Sequence, residues 1–268
     1  MSLNMIRVRN LVKKYGDLTA VNDITFDVEK GEIFAFLGPN GAGKTTTIKM
    51  LTTLLTPTSG AVELDGLNPA VQHNEARKRF GIVFQDPSLD DELTAYENMD
   101  FHGVLYKVSR RDRLERIEKL LKLFELWDRR NDPVKQFSGG MKRRLEIARG
   151  LLHTPRIIFL DEPTLGLDPQ TRNQLWTHVQ KLNTEEQVTV FLTTHYMEEA
   201  ERVAHRIAII DHGKIVAQGT SQELKEQTQK DTLEQAFLAL TGSTIRSEDA
   251  TSVDSMRNMA RMFRGPRR

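Results

Sequence analysis

The stretch that most constrains this 268-residue chain is a glycine-rich segment at positions 38–45. It reads Gly-Pro-Asn-Gly-Ala-Gly-Lys-Thr and completes the pattern G-x-x-x-x-G-K-[ST]. An apolar run at 33–37 precedes it, which is typical of a buried parallel strand, and residues 45–51 can begin a helix. Glycines let the backbone curl until successive N–H groups face an anion, and the helix adds its positive end. The segment therefore predicts a phosphate-binding loop between a strand and a helix.

The residues of this loop have expected roles toward a nucleotide. We expect Lys44 to reach the β- and γ-phosphates and the hydroxyl of Thr45 to bind Mg²⁺. The positions expected to bind the nucleotide are Gly38, Pro39, Asn40, Gly41, Ala42, Gly43, Lys44, Thr45 and Thr46.

Composition narrows the classes of protein that remain. Lys and Arg number 38 against 37 Asp and Glu, and this balance does not indicate a nucleic-acid partner. No apolar run approaches the ~20 residues of a membrane helix, and the N-terminus lacks the apolar region of a secretory signal. The absence of cysteine excludes disulfides, zinc–thiolate sites and thiol catalysis, and Mg²⁺ with nucleotide is the only metal we expect.

Strand and helix patterns alternate along much of the chain. Alternating apolar and polar residues near the N-terminus predict half-exposed strands, and apolar runs at 157–160 and 188–192 predict buried ones. A helix is predicted at 170–181 and a hairpin at 207–217. From about 93 to 152 the pattern is helical, and one apolar stripe contains Leu114, Ile117, Leu121 and Phe124. We therefore predict a largely parallel sheet with covered faces and an inserted all-helical subdomain.

Two carboxylates end the predicted strand at 157–160. Neighbouring strand residues point to opposite sides, so Asp161 and Glu162 need not share a role. We expect Asp161 to hold Mg²⁺ through water, and Glu162 to orient and deprotonate an attacking water molecule. Two solvated carboxylates at a strand end would be the simpler interpretation in isolation, but the phosphate-binding loop favours the chemical one.

A third segment, Phe-Ser-Gly-Gly-Met at 137–141, follows the same anion-binding logic at the start of a helix. In this order the three segments resemble the ATP-binding subunit of an ABC transporter, whose signature is usually L-S-G-G-Q. Phe137 and Met141 depart from that pattern. The resemblance implies that a signature segment contacts the γ-phosphate of ATP held by a second subunit. In this chain the signature segment consists of Ser138, Gly139, Gly140 and Met141. The implied fold is an α/β ABC ATPase fold: a P-loop NTPase core with a mostly parallel sheet, an N-terminal antiparallel β subdomain and an inserted α-helical subdomain.

The resemblance assigns four further residues one by one. Gln85 matches the Q-loop glutamine, which contacts Mg²⁺ and couples the nucleotide state to the helical subdomain. His195 matches the switch histidine that reaches the γ-phosphate, and Asp168 matches the D-loop residue at a dimer seam. Tyr15 matches the aromatic residue that stacks on adenine. In isolation, a glutamine at a strand end would be interpreted as a surface residue, a lone histidine as structural, and a tyrosine near a strand as a packing residue.

The resemblance also implies partners and a location. Several stretches are similar to the daunorubicin/doxorubicin-resistance group, which implies an ATP- and Mg²⁺-dependent motor subunit of an exporter for drugs, lipids or polysaccharides. It implies a second ATP-binding subunit in a homodimer, and a separate six-helix permease at the cytoplasmic side of the membrane. Tyr96 and residues 93–106 are candidates for the permease contact.

Two other classes of protein have to be weighed. A soluble ABC ATPase acting on ribosomes or DNA is the alternative, but such relatives carry two motif sets or a long coiled coil, and this chain has neither. A nucleotide sensor without catalysis is disfavoured because both Glu162 and His195 are present.

The predicted organisation is a nucleotide-binding domain at 1–242, with its helical subdomain at about 88–152, and a tail at 243–268. The tail is polar and then basic, and five arginines follow the last acid: Arg257, Arg261, Arg264, Arg267 and Arg268. A frayed end is the favoured interpretation of the tail, and a basic amphipathic segment that touches anionic lipid or a partner chain is the alternative.

Overall fold

Residues 4–242 are described by a computed structural model, in which strands and helices alternate. The strands are β1 (Asn4–Tyr15), β2 (Leu18–Glu29), β3 (Ile33–Leu37), β4 (Ser59–Leu64), β5 (Phe80–Val83), β6 (Ile157–Asp161), β7 (Thr189–Thr194), β8 (Arg206–Asp211) and β9 (Lys214–Gly219). The α-helices are α1 (Lys44–Leu51), α2 (His73–Arg77), α3 (Ala95–Leu105), α4 (Arg110–Leu123), α5 (Gly139–Leu151), α6 (Pro169–Glu186), α7 (Met197–Val203), α8 (Ser221–Thr228) and α9 (Leu233–Thr241).

The N-terminal strands form a small antiparallel sheet in the order β2-β1-β4. Val8 at its centre is opposite both Phe26 and Val62, and all three side chains are buried. One face is therefore apolar, as the alternating pattern predicted. The predicted antiparallel β subdomain is confirmed.

Within residues 4–242 the second sheet has six strands in the order β5-β6-β7-β3-β8-β9, and only β9 runs antiparallel to its neighbour. Every residue of β3, β6 and β7 is buried. Strands covered on both faces read as continuous apolar runs, which explains why no alternation marks these segments. The predicted mostly parallel sheet is confirmed, and so is the hairpin, which β8 and β9 form.

The side chains of successive β3 residues point to opposite faces of the sheet and lie in two different hydrophobic cores. Phe34 and Phe36 face the N-terminal sheet, where Phe26 and Phe191 join them with ring centroids 5.6 to 5.8 Å apart. The alternate residues of β3 face the helices on the other side of the sheet. This sheet is therefore held between the small antiparallel sheet and a layer of helices.

The helical insertion lies between β5 and β6 and contains α3, α4 and α5. Ile117, Leu121 and Phe124 are buried as predicted, but Leu114 is 46% exposed and the prediction for it is wrong. The first turn of α4 packs on α3 through Arg113, whose aliphatic part covers Gly103 and leaves Leu114 at the surface.

The predicted C-terminal tail and the predicted absence of a membrane helix remain to be compared with the structure. The tail at 243–268, with its five arginines, lies outside the described residues. Within residues 4–242, no helix has both the length and the apolar character needed to cross a membrane.

The strand order sets up the candidate site. Parallel strands end at the same edge of a sheet, and β5, β6, β7 and β3 are consecutive neighbours. The segments that follow these four strands carry, in spatial order, Gln85, the pair Asp161 and Glu162, His195 and the phosphate-binding loop. Residues that lie more than 100 positions apart in the chain are thus placed along one edge.

Candidate functional site

The glycine-rich loop joins β3 to α1 and has positive φ angles at Gly41 and Gly43. Gly43 has φ of 108°, and a Cβ atom there would lie 2.6 Å from the carbonyl oxygen of Ala20. Only glycine fits this position, because a side chain would be strained and would collide with β2. Lys44 follows as the first residue of α1; its side chain is 6% exposed and its Nζ donates to the carbonyl oxygens of Gly38 (2.6 Å) and Pro39 (3.3 Å).

Asp161 lies at the end of β6, next to the loop. Its Oδ1 accepts hydrogen bonds from the hydroxyls of Thr193 (2.6 Å) and Thr45 (3.3 Å). Burial raises the pKa of Asp161, and these two hydrogen bonds act in the opposite direction. Thr193 was not predicted from the sequence, although a threonine pair that ends an apolar strand just before His195 was a usable signal.

Glu162 is the most constrained residue of the site. It has φ of 49°, a left-handed conformation that is uncommon for a residue with a side chain, and its N–H donates to the hydroxyl of Thr193 at 3.0 Å. Its Oε1 lies 3.2 Å from Lys44 Nζ, and its Oε2 lies 2.7 Å from His195 Nδ1. The carboxylate is therefore bound at both oxygens.

The charge of Glu162 follows from these contacts. Burial acts to raise the pKa of Glu162, but the hydrogen bond with His195 and the charge of Lys44 outweigh it and lower the pKa. The carboxylate is consequently ionised at neutral pH and able to accept a proton.

The oxygen donors near the loop fit Mg²⁺. Among residues 4–242, no group of three or more His, Cys, Asp or Glu side chains is arranged to hold a metal ion. Mg²⁺ is commonly held by one or two protein oxygens together with substrate phosphates, so Asp161 and the Thr45 hydroxyl, already in contact, are suitable donors.

Gln85 is exposed, and its backbone is held by a buried ion pair that the sequence analysis missed. Arg143 donates to the carbonyl oxygens of Phe84 and Gln85 (2.8 Å for the latter) and pairs with Glu146 at 3.0 Å. Glu146 in turn accepts from the N–H of Ser88 at 2.7 Å. Only the pairing had a sequence signal, because opposite charges three residues apart on a helix indicate an ion pair but do not indicate that it is buried.

The predicted signature segment begins α5. The Ser138 hydroxyl caps this helix by accepting from the N–H of Met141 at 3.2 Å. Gly140 packs so closely that a Cβ atom there would lie 2.4 Å from Cγ2 of Thr171 on α6. The side chain of Met141 packs against the hydrophobic core, which gives the departure from glutamine a structural role.

The last predicted residues lie at other edges of the fold. Asp168 caps α6, where its carboxylate accepts from the N–H (3.0 Å) and hydroxyl (2.6 Å) of Thr171. Tyr15 ends β1 and is 36% exposed, with Lys13 Nζ 5.2 Å from its ring centroid. Direct contacts thus join Lys44 and Thr45 of the loop with the pair at 161–162 and His195. The contacts described for Gln85, the signature segment, Asp168 and Tyr15 lie in other parts of the fold.

Comparisons with known proteins all point to the same protein family. The family model described as ABC transporter matches residues 21–165. The chain is 38% identical to the daunorubicin resistance ATP-binding protein DrrA3 of Streptomyces coeruleorubidus, covering 92% of this chain and 82% of that protein. It is 40% identical to the linearmycin resistance ATP-binding protein LnrL of Bacillus subtilis (strain 168), with the same two coverages.

A solved structure gives the same result. The dimeric post-hydrolysis structure of the ATP-binding cassette MJ0796, bound to ADP and Pi, superposes with a TM-score of 0.72 at 30% identity. The superposition covers 81% of this chain and 98% of that one.

Proposed function

The chain belongs to the ABC transporter family, and on this basis we propose the roles of its site residues, its partners and its cargo. It is an ATP-binding and ATP-hydrolysing subunit of an exporter. The observation that carries the proposed mechanism is the contact chain from Lys44 through Glu162 to His195, with distances of 3.2 and 2.7 Å.

We propose that Glu162 is the general base for hydrolysis. It accepts a proton from the water that attacks the γ-phosphorus, the bond from that phosphorus to the bridging oxygen breaks, and ADP and phosphate leave. His195 orients the carboxylate, and Lys44 and the loop N–H groups bind the β- and γ-phosphates. Tyr15 stacks on the adenine, a role that its exposed ring permits.

The metal in this proposal is Mg²⁺. Thr45, Asp161 and Gln85 would hold it, and it would neutralise negative charge on the phosphate oxygens. Thr193 keeps Asp161 in position through the 2.6 Å hydrogen bond. Because the carbonyl of Gln85 is bound by Arg143 on α5, a change at the metal site reaches the helix that carries the signature segment.

The partners follow from how the motifs are distributed. We propose a homodimer in which ATP on the loop of one subunit meets Ser138–Met141 of the other, with Asp168 at the seam. The structural similarity to a nucleotide-bound dimer supports this arrangement. We further propose a separate six-helix permease at the cytoplasmic face of the membrane, and drugs, lipids or polysaccharides as cargo, in line with the resistance functions in the relatives' names.

The proposed permease contact is the outer face of α3. Tyr96 packs partly against the hydrophobic core, so it is less available than the sequence suggested. Farther along the same helix Phe101, Val104 and Leu105 are 51 to 62% exposed. An apolar face of this kind is typical of a binding surface.

Replacing Glu162 by glutamine tests the proposed base. The shape is kept and the base is lost, so we expect kcat to fall about 10²- to 10⁴-fold while ATP binding and ATP-dependent dimerisation persist. Glu92→Gln is the matched control, because that carboxylate is 77% exposed and pairs with Lys135 at the surface. Wild-type hydrolysis by the Glu162→Gln variant would remove Glu162 from this role.

The partner is identified with the same variant. We expect tagged Glu162→Gln protein, solubilised gently from its own cells with ATP and Mg²⁺, to co-purify with a six-helix membrane protein. Recovery with ribosomes or DNA and with no membrane protein would contradict the proposed transport partner.

A further inference from the structure

Arg172 on α6 is bound to two separate parts of the site. Its Nε donates to the carbonyl oxygen of Leu167 at 2.8 Å, in the D-loop (residues 165–168). Its guanidinium carbon lies 4.2 Å from the ring centroid of Tyr196, and its Nη2 lies 3.4 Å from the Tyr196 hydroxyl. One cationic side chain therefore joins the D-loop backbone to the residue that follows His195.

The contacts continue from Tyr196 to the proposed base. The rings of Tyr196 and His195 have centroids 4.1 Å apart. The Tyr196 N–H donates to the Thr194 hydroxyl at 3.0 Å, which holds the backbone of this segment against the end of β7. His195 then contacts Glu162 at 2.7 Å. An unbroken series of contacts thus links the D-loop to the carboxylate.

A second link runs beside the first and is buried. Thr164 donates its hydroxyl hydrogen to Glu199 Oε2 at 2.7 Å, and the two residues are 1% and 6% exposed. Thr164 immediately precedes the D-loop, and Glu199 lies on α7, four residues after His195. Since the D-loop and the switch segment are joined at two points, a displacement of one is carried to the other rather than absorbed between them.

The outer side of the D-loop is free within the described part of the chain to receive a partner. Leu165, Gly166 and Asp168 are exposed, whereas the inner side is held by Arg172. We propose that Arg172 is a positioning residue that transmits contact of a second subunit at the D-loop, through Tyr196, to His195 and Glu162. This inference rests on the proposed function, because it presupposes ATP-dependent pairing of two subunits.

Arg172→Ala in the full chain tests the proposal by separating kcat from binding. We expect kcat to fall about tenfold, the size of a small misplacement of a catalytic group, with KM for ATP within about twofold of wild type. Arg172→Lys keeps a cation near the ring and should recover part of the loss. Arg202→Ala is the matched control, because Arg202 is an exposed neighbour bonded to Asn173.

A double variant distinguishes transmission from a merely structural role. Tyr196→Leu should lower kcat as Arg172→Ala does, and the two changes together should cost no more than one alone, because both break the same series of contacts. Multiplicative losses in the double variant, or an Arg172→Ala rate equal to that of Arg202→Ala, would overturn the proposal. The Tyr196→Leu and Arg172→Lys measurements also decide the matter if the alanine variant does not fold.

Dimerisation is measured separately in the Glu162→Gln background. We expect Glu162→Gln with Arg172→Ala still to dimerise with ATP in light scattering, because Arg172 acts after the subunits meet. Loss of the dimer only when Arg172 is replaced would make it an interface residue and overturn the transmission role. Failure of Glu162→Gln itself to dimerise would instead count against the proposed pairing of subunits.

Discussion

Replacing Glu146 by alanine breaks the buried ion pair that holds the backbone around Gln85. Glu146 and Arg143 have side chains only 2% and 7% exposed, and burial raises the pKa of Glu146 and lowers that of Arg143. The variant leaves the charge of Arg143 without its acid, and it leaves the N–H of Ser88 without the acceptor it has at 2.7 Å. Ser88 is exposed, so its N–H can bond to water instead, and the main cost is that of breaking the buried pair, about 3–5 kcal/mol.

We therefore expect the free energy of unfolding to fall by about 3–5 kcal/mol in Glu146→Ala, measured by urea denaturation. Glu118→Ala is the matched control, because Glu118 pairs with Lys122 on an exposed helical face. We expect that change to stay within about 0.5 kcal/mol. A loss below about 1 kcal/mol in Glu146→Ala would refute the claim that the pair is desolvated in the folded protein.

A double variant distinguishes the effect of an unpaired buried charge from the effect of lost side-chain volume. Arg143→Met with Glu146→Leu removes both charges and refills the volume, so we expect it to recover most of the stability lost in Glu146→Ala. It cannot restore the hydrogen bond from Arg143 to the carbonyl of Gln85. A double variant as unstable as the single one would show that an unpaired charge is not the cause of the loss.

Two further predictions concern other parts of the fold. Burial lowers the pKa of His102 to about 3 and that of His153 to about 4. Below pH 6.5 the unfolded chain therefore binds more protons than the folded chain. The free energy of unfolding decreases as the pH is lowered, by up to ~1.4 kcal/mol per pH unit for each histidine. Urea midpoints between pH 7.5 and 5 should show this decline, and His102→Gln with His153→Gln should flatten it; an unchanged slope would contradict the assignment. Gly140→Ala should lower the free energy of unfolding by about 1–3 kcal/mol, because the new methyl group clashes with Thr171. Adding Thr171→Ser removes the clashing methyl and keeps the hydroxyl, so it should restore the thermal midpoint. A midpoint that stays low in the double variant would show that the clash is not the cause.

The local parts of this protein could be predicted from the sequence. The phosphate-binding loop is a property of consecutive residues, because the left-handed position at Gly43 and the placement of Lys44 depend on the backbone between them. Buried strands were found because a strand covered on both faces is apolar throughout. Leu114 shows the limit of this reasoning, since helical periodicity reports a face and not how far along the helix the core extends.

Residues far apart in the chain are brought together by the packing of the whole domain. Lys44 and Glu162 meet because β3, β7 and β6 are neighbours, and no local pattern states that order. Motifs in the sequence named both residues, but they named neither Thr193, which holds Asp161, nor the contact between Arg172 and the ring after His195. Turns and helix ends depend on neighbouring residues and could be read from them, whereas strand order and buried polar contacts depend on which faces pack across the domain. This difference in range is why the loop was predictable from its own residues and the contacts around it were not.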